Sequence, residues 1–176
     1  MHTLIVGARQ VGKSTLIARV LREIGRPVFG FETKKEDALE DAQLGSPIYI
    51  YPAGEAHEQR ADNLVGYCKD RRPLTNVEVF DRWAQRIACP PQGCVVLLDE
   101  LGFMESSSEA FCSAVMALLD GDVPVIAAVK HNRTPFLDAV RSHKNCRCFH
   151  ITPDNREECF AQALVFMRAQ LEEEKA

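Results

Sequence analysis

Residues Gly7 to Ser14 read GARQVGKS and fit the pattern G-x-x-x-x-G-K-[ST] at every fixed position. No other stretch of the chain restricts its fold as much. The two glycines let the backbone turn tightly and approach a ligand closely. Successive N–H groups of such a loop point inward at an anion. A lysine placed as Lys13 is reaches the β- and γ-phosphates of a nucleotide, and a hydroxyl placed as Ser14 is holds Mg²⁺. Gly7, Ala8, Arg9, Gln10, Val11, Gly12, Lys13, Ser14 and Thr15 are therefore the expected phosphate-binding residues. A helix opening near Ser14 adds the positive end of its dipole to the same site.

The flanks agree with the loop. His2 to Val6 is a short apolar run that suits a buried parallel strand. Leu16, Ile17, Val20, Leu21 and Ile24 fall on one helical face, and Gly25 ends that helix. Strand, loop and helix thus occur in the order a phosphate loop requires.

A second motif fits the first. The apolar run Cys94 to Leu98 stops at Asp99-Glu100. A carboxylate at the C-terminal end of a buried parallel strand sits where ligands bind in open α/β sheets. Asp99 is expected to hold Mg²⁺ through a water, together with Ser14. Glu100, one residue on and beyond the strand end, is expected to orient or deprotonate an attacking water. Lys13 and Glu100 are the expected catalytic pair.

The rest of the chain alternates strands and helices. Val28 to Thr33 and Ser46 to Tyr51 read as strands of a long hairpin with a polar segment between them. Residues 52–75 have weak periodicity and carry His57, Arg60, Lys69, Arg71 and Arg72. They read as a lid, a binding loop or plain surface. Asn76 is the expected cap of a helix whose stripe is Val79, Phe80, Trp83, Ala84 and Ile87. Ser106 to Glu109 reads as a capping box for a helix that buries Phe111, Ala114, Val115, Leu118 and Leu119. Val123 to Val129 is a continuous apolar strand with Lys130, His131, Asn132 and Arg133 at its tip. A helix over 135–141 and a strand over 146–151 follow. Thr152 is the expected cap of the last helix, with Pro153 at its first position. The tail from Glu172 to Ala176 is expected to fray. The sum is one α/β domain over 1–176, with three layers and a mostly parallel sheet. An antiparallel hairpin is expected at one edge.

Composition narrows the function classes. Of 176 residues 46% are hydrophobic, enough for the core of one soluble domain. A formal net charge of −4 argues against a general affinity for nucleic acid. No apolar run reaches the roughly 18 residues of a membrane span, so no membrane partner is expected. The chain enters a strand at once, which argues against a signal peptide. The seven cysteines are odd in number and sit largely in apolar runs, which favours a reducing, cytoplasmic setting. His143, Cys146, Cys148 and His150 lie close together in sequence. A metal site and a core strand both explain them, and the spacing matches no standard zinc knuckle.

The motifs carry a resemblance. GARQVGKSTL, VFGFETK, VVLLDELGFMESSSEAF, PVIAAVK and ITPDNREE occur in this order along nearly the whole chain. In them the chain resembles the thermostable nucleoside-triphosphatase family, which includes the vertebrate cancer-related nucleoside-triphosphatases. The stretch Leu101 to Glu105 is the most specific part. The resemblance implies a RecA-like sheet in which the strand at 123–129 inserts between the phosphate-loop strand and the Asp99 strand. It implies Mg²⁺-dependent hydrolysis of several nucleoside triphosphates, ATP or GTP among them. It also implies that Asn155 and Arg156 contact base or ribose, although first-turn capping of the last helix explains that pair equally well. Two departures stand out. Ala8-Arg9-Gln10 replaces a Pro-Pro-Gly-like loop tip, and Ala128 and Lys130 stand where the family often has Thr and Pro.

The expected activity is conversion of a nucleoside triphosphate to diphosphate and phosphate. Arg133 and Arg156 are candidates for a cis arginine finger, and Lys130, His131 and Asn132 for contact with the γ-phosphate. One alternative is a nucleotide or small-molecule kinase in which residues 52–75 close over an acceptor. Another is a nucleotide-dependent switch acting on a protein partner.

Overall fold

Apolar runs separated by amphipathic helices build the sheet of this protein, seen in a computed structural model that describes residues 1–70 and 72–173. The chain runs β1 (His2–Gly7), α1 (Lys13–Ile24), β2 (Val28–Lys35), β3 (Ser46–Pro52), β4 (Leu64–Lys69), β5 (Arg72–Thr75) and α2 (Val77–Ile87). It continues with β6 (Val95–Leu101), α3 (Glu109–Asp120), β7 (Val125–Lys130), α4 (Pro135–Arg141), β8 (Cys146–His150) and α5 (Arg156–Glu173). The sheet order is β5-β4-β3-β2-β6-β7-β1-β8. From β2 to β8 in this order the neighbours are parallel, and β3, β4 and β5 add antiparallel pairs at one edge. β7 separates the phosphate-loop strand β1 from the acidic strand β6.

Helices cover both faces, so the central strands are apolar on both sides. On one face Leu16, Ile17 and Val20 of α1 and Cys159, Ala163 and Met167 of α5 pack on Ile5, Leu97 and Ile126. On the other, α2, α3 and α4 cover Leu4, Phe31, Leu98 and Ala127. Phe31 of β2 meets Phe111 at 5.4 Å and Trp83 at 6.2 Å between ring centroids. Truncating Phe111 to Ala is expected to cost roughly 3–5 kcal/mol, since the whole ring contact is lost. These aromatic contacts fix β2, and β2 carries two residues that reach the site.

Several expectations need correction. Residues 52–75 contain β4 and β5, so the edge hairpin grows into an antiparallel run of strands. Arg71 lies outside the described residues, as do 174–176 of the tail. α3 is capped by Ser108, whose Oγ accepts from Phe111 N at 3.0 Å, and not by Ser106. Ser106 and Ser107 form a short 3-10 turn instead. The last helix starts at Arg156 rather than Pro153, after a turn in which Thr152 N donates to Asn155 Oδ1. Asn76 holds the cap position of α2, but its side chain makes no capping bond and turns to Leu64 O. β6 extends through Asp99 and Glu100 to Leu101, so Glu100 lies inside the strand and not past it.

Candidate active site

The site begins with the backbone of the loop between β1 and α1. Gln10 and Gly12 both take positive φ, 60° and 105°. Left-handed residues alternating along a short loop turn its N–H groups to one side. Gly7 has no room for a side chain, since a Cβ there would lie 2.7 Å from Ile151 Cγ2 and 2.9 Å from Ile151 O. Gly12 occupies the N-cap of α1 and has no side chain to cap it. The first N–H groups of that helix have no acceptor within the helix and face the loop's ligand space. Val11 is buried and anchors the loop, while Ala8, Arg9 and Gln10 form its exposed tip.

Lys13 is 4% exposed. Its Nζ donates to Gly7 O at 3.1 Å and to Ala8 O at 2.9 Å, and it lies 3.5 Å from Glu100 Oε2. Ser14 Oγ donates to Asp99 Oδ1 at 3.1 Å. Thr15 is exposed on the first turn. The structure thus brings Lys13 and Ser14 of the loop to the two strand carboxylates.

Regular alternation along a strand would send Asp99 and Glu100 to opposite faces. The β6–β7 register prevents this. Asp99 pairs with Ala128 and Leu101 with Val129, so Glu100 is an extra residue in a bulge. The carboxylates then reach adjacent loop residues, Glu100 to Lys13 and Asp99 to Ser14. Thr33 holds this arrangement from β2. Its hydroxyl donates to Asp99 O at 3.3 Å and accepts from Glu100 N at 3.2 Å.

Electrostatics follow burial. Asp99 is 5% exposed, and desolvation pushes its carboxyl up to about 6 despite the Ser14 hydrogen bond. Two hard oxygen donors, Ser14 Oγ and Asp99 Oδ1, stand side by side at the opening of α1. That donor set suits Mg²⁺, which takes oxygen ligands and keeps several waters. A cleft of about 140 Å³ runs past Ser14 and Asp99 and is also lined by Glu32. Glu105 is 6% exposed and accepts from Gly102 N at 2.8 Å, and burial pushes its carboxyl up to about 7.

Other candidates separate. Lys130 reaches Glu100, with Nζ 2.6 Å from Oε1. Arg156 stands beside the loop, its Nε 3.7 Å from where a Gly12 Cβ would be. Asn155 is spent on its own turn, with Nδ2 donating to His150 O and Oδ1 accepting from Thr152 N. Arg133 is not brought to the loop and pairs with Asp138 at 3.5 Å. His131 lies against His150, with ring centroids 6.4 Å apart. Among the described residues no three His, Cys, Asp or Glu side chains converge as a metal cluster. Cys146 and Cys148 pack against the core instead.

The sequence reading missed Glu32 and Thr33. Both sit on β2, level with the acidic pair, and Glu32 pairs in register with Asp99. Their only signal is a polar pair ending an apolar run, which a surface strand end also shows. Most of the described part of 52–75 lies away from the phosphate loop. β4 and β5 lie at the far edge of the sheet. From this segment Gly54 lines the cleft beside Ser14 and Asp99, and His57 reaches Glu32, with Nε2 3.0 Å from Glu32 Oε2 and its ring stacked on Tyr51.

Comparison with known proteins places this chain in a family. A cancer-related nucleoside-triphosphatase homolog of Mus musculus is 28% identical over 175 residues, covering 88% of this chain and 90% of the mouse protein. Nucleoside-triphosphatase THEP1 of Pyrococcus abyssi is 29% identical, covering 96% and 93%. The crystal structure of THEP1 from Aquifex aeolicus superposes with a TM-score of 0.69 at 23% identity, covering 94% of this chain and 98% of that one. The solution structure of a human cancer-related nucleoside triphosphatase gives 0.65 at 20%, covering 96% and 97%. At these identities the two structures speak for the fold. Residues 2–164 match the NTPase family over most of the chain, and the protein belongs to that family.

Proposed function

We propose that this chain is a Mg²⁺-dependent nucleoside-triphosphatase, broad in base, that turns ATP, GTP and related triphosphates into diphosphate and phosphate. The observation that carries the reading is Lys13 lying 3.5 Å from Glu100, beside the Ser14–Asp99 pair. It joins a phosphate-binding cation to a carboxylate able to serve water.

The loop N–H groups and Lys13 bind the phosphates. Lys13 exchanges Gly7 O and Ala8 O for phosphate oxygens and stabilises charge on the transferring phosphoryl group. Ser14 and Asp99 would hold Mg²⁺, which when bound neutralises charge on the β- and γ-phosphate oxygens. Glu100 orients a water and accepts its proton as the water oxygen bonds to the γ-phosphorus. The bond to the β–γ bridging oxygen breaks, and the diphosphate leaves. Arg156, beside Gly12, is placed to add positive charge near the phosphates. Asn155, already bonded within its turn, is not assigned to the base. The contacts assigned here fall on the phosphates, which supports breadth in base. The cysteines at 68, 89, 112, 146, 148 and 159 are in no disulfide, which fits a cytoplasmic protein. No helix among the described residues is long and apolar enough to cross a membrane.

Phosphate release from ATP, GTP, CTP and UTP, with and without Mg²⁺, tests the proposal. Free phosphate from several triphosphates, dependent on Mg²⁺, is the expected result. Phosphate that appears only on an added acceptor, or no release from any triphosphate, overturns it.

A further inference from the structure

Lys130 ends β7, the strand between the phosphate-loop strand and the acidic strand, and pairs in register with Gly7. Its ammonium lies 2.6 Å from Oε1 of Glu100, while that of Lys13 lies 3.5 Å from Oε2. One carboxylate is held by two lysines, one on each oxygen. Lys13 has another destination, the phosphates. Lys130 is held where it is.

Its stem runs along Gly102, where a Cβ would stand 2.9 Å from Lys130 Cδ and 3.3 Å from Nζ. The same Cβ would stand 3.2 Å from Oε2 of the buried Glu105. The bare backbone of Gly102 leaves the space in which Lys130 and Glu105 come together. Burial opposes the Lys130 charge, but Glu100 and Glu105 outweigh it, and the ammonium is held above the usual lysine range.

We infer that Lys130 is a positioning residue for hydrolysis: it fixes Oε1 of Glu100 so that Oε2 faces the attacking water once Lys13 has moved to the phosphates. The inference rests on the reading of Glu100 as the group that takes the proton of that water. An unanchored carboxylate rotates about its last bonds, and a misplacement of about 1 Å can cost roughly a hundredfold in rate. An ion pair on one oxygen removes that freedom. Lys130 itself touches neither the water nor the phosphorus.

The test is kcat and KM for Mg²⁺-ATP in Lys130→Met, Lys130→Arg, Gly102→Ala, Glu100→Gln and the double variant Lys130→Met/Glu100→Gln, each checked for folding by circular dichroism. Lys130→Met is expected to lower kcat about ten- to a hundredfold with KM within about threefold, as loss of a transition-state contribution alone requires. Lys130→Arg should restore most of kcat. Gly102→Ala pushes on the Lys130 stem without altering a charge and should lower kcat by a smaller factor. The double variant should be no slower than Glu100→Gln alone, because the two residues act through one carboxylate.

Multiplying losses in the double variant would overturn the inference and place Lys130 on the phosphate. A raised KM at unchanged kcat would overturn it in favour of nucleotide binding. If Lys130→Met does not fold, unchanged kcat in both Lys130→Arg and Gly102→Ala overturns it. If Glu100→Gln is slow and Lys130→Met is not, the inference falls alone. If Glu100→Gln hydrolyses normally, the proton-acceptor reading falls and takes this one with it.

Discussion

Ser14 on α1 and Asp99 on β6 stand 85 residues apart in sequence, yet Ser14 Oγ donates to Asp99 Oδ1 at 3.1 Å. The contact joins the phosphate loop to the acidic strand through two short oxygen side chains. Asp99→Asn keeps the size and removes the charge, so metal affinity in the nucleotide complex should fall about tenfold or more. Mn²⁺ binding followed by electron paramagnetic resonance checks this without relying on turnover. The nucleotide-free variant should melt no lower than the parent at neutral pH, because burial already disfavours the ionised Asp99. Unchanged Mn²⁺ affinity would leave Asp99 a structural residue.

Lys13→Ala should remove most turnover. The ammonium is buried inside the loop, against Gly7 O and Ala8 O. A loss of roughly two to three orders of magnitude is expected for a donor aimed at developing charge. Phosphate release by the folded variant at a near-normal rate would refute the phosphate-loop reading.

Glu100→Gln should separate binding from hydrolysis. Gln can still hydrogen-bond a water but takes no proton at neutral pH. Nucleotide affinity should stay within a few-fold, and the single-turnover rate should fall by roughly two orders of magnitude. Lost affinity in a folded variant would instead place Glu100 on the loop or the metal.

Thr33→Val removes one hydroxyl and little volume. That hydroxyl bonds both Asp99 O and Glu100 N. Its loss should lower kcat by about tenfold with KM little changed, since it disturbs the placement of both carboxylates. Thr33→Ser should recover most of the rate. Equal rates for Val and Thr would show that the bulge holds without this bridge.

Glu105 makes stability depend on pH. Burial raises its carboxyl from the ordinary 4.5 to about 7 in the folded protein. A raised pKa means the folded state binds the proton more tightly than the unfolded state. The stability it contributes is complete below about 4.5 and is lost as pH rises through about 7. Glu105→Gln, which cannot ionise, should therefore gain stability over the parent as pH rises from about 5 to 8. Urea unfolding at several pH values measures the gap. A gap that narrows with rising pH would contradict the assignment.

The sequence showed the loop and the acidic pair clearly because each is contiguous. GARQVGKS needs its neighbours and nothing else to form a cradle. The bulge at Glu100 was not legible, since it depends on how β6 registers against β7. Thr33 and Glu32 were seen only as the polar end of a strand, and Lys130 as a candidate for the γ-phosphate rather than as a partner of Glu100. Their roles come from strand order, which places β2 and β7 on either side of β6. The β4–β5 hairpin was missed because Gly66 and Pro73 break an already weak alternation. Gly66 is nonetheless required there, as a Cβ would stand 1.9 Å from Leu74 O. Ser106 was mistaken for a cap because Ser108, two residues on, offers the same hydroxyl, and Thr152 because the turn that Asn155 closes back on Thr152 N puts the helix start off to Arg156.

The strand between the loop and the acidic pair acts as a ruler. Neighbouring strands lie about 4.8 Å apart, so two spacings hold the roots of β1 and β6 roughly 9–10 Å apart. That width is set by strand count, which no side-chain substitution alters. The loop tip at Ala8, Arg9 and Gln10 projects into solvent and bears none of this spacing. The tip can therefore change in sequence while the distance between the root of the loop and the acidic pair stays the same.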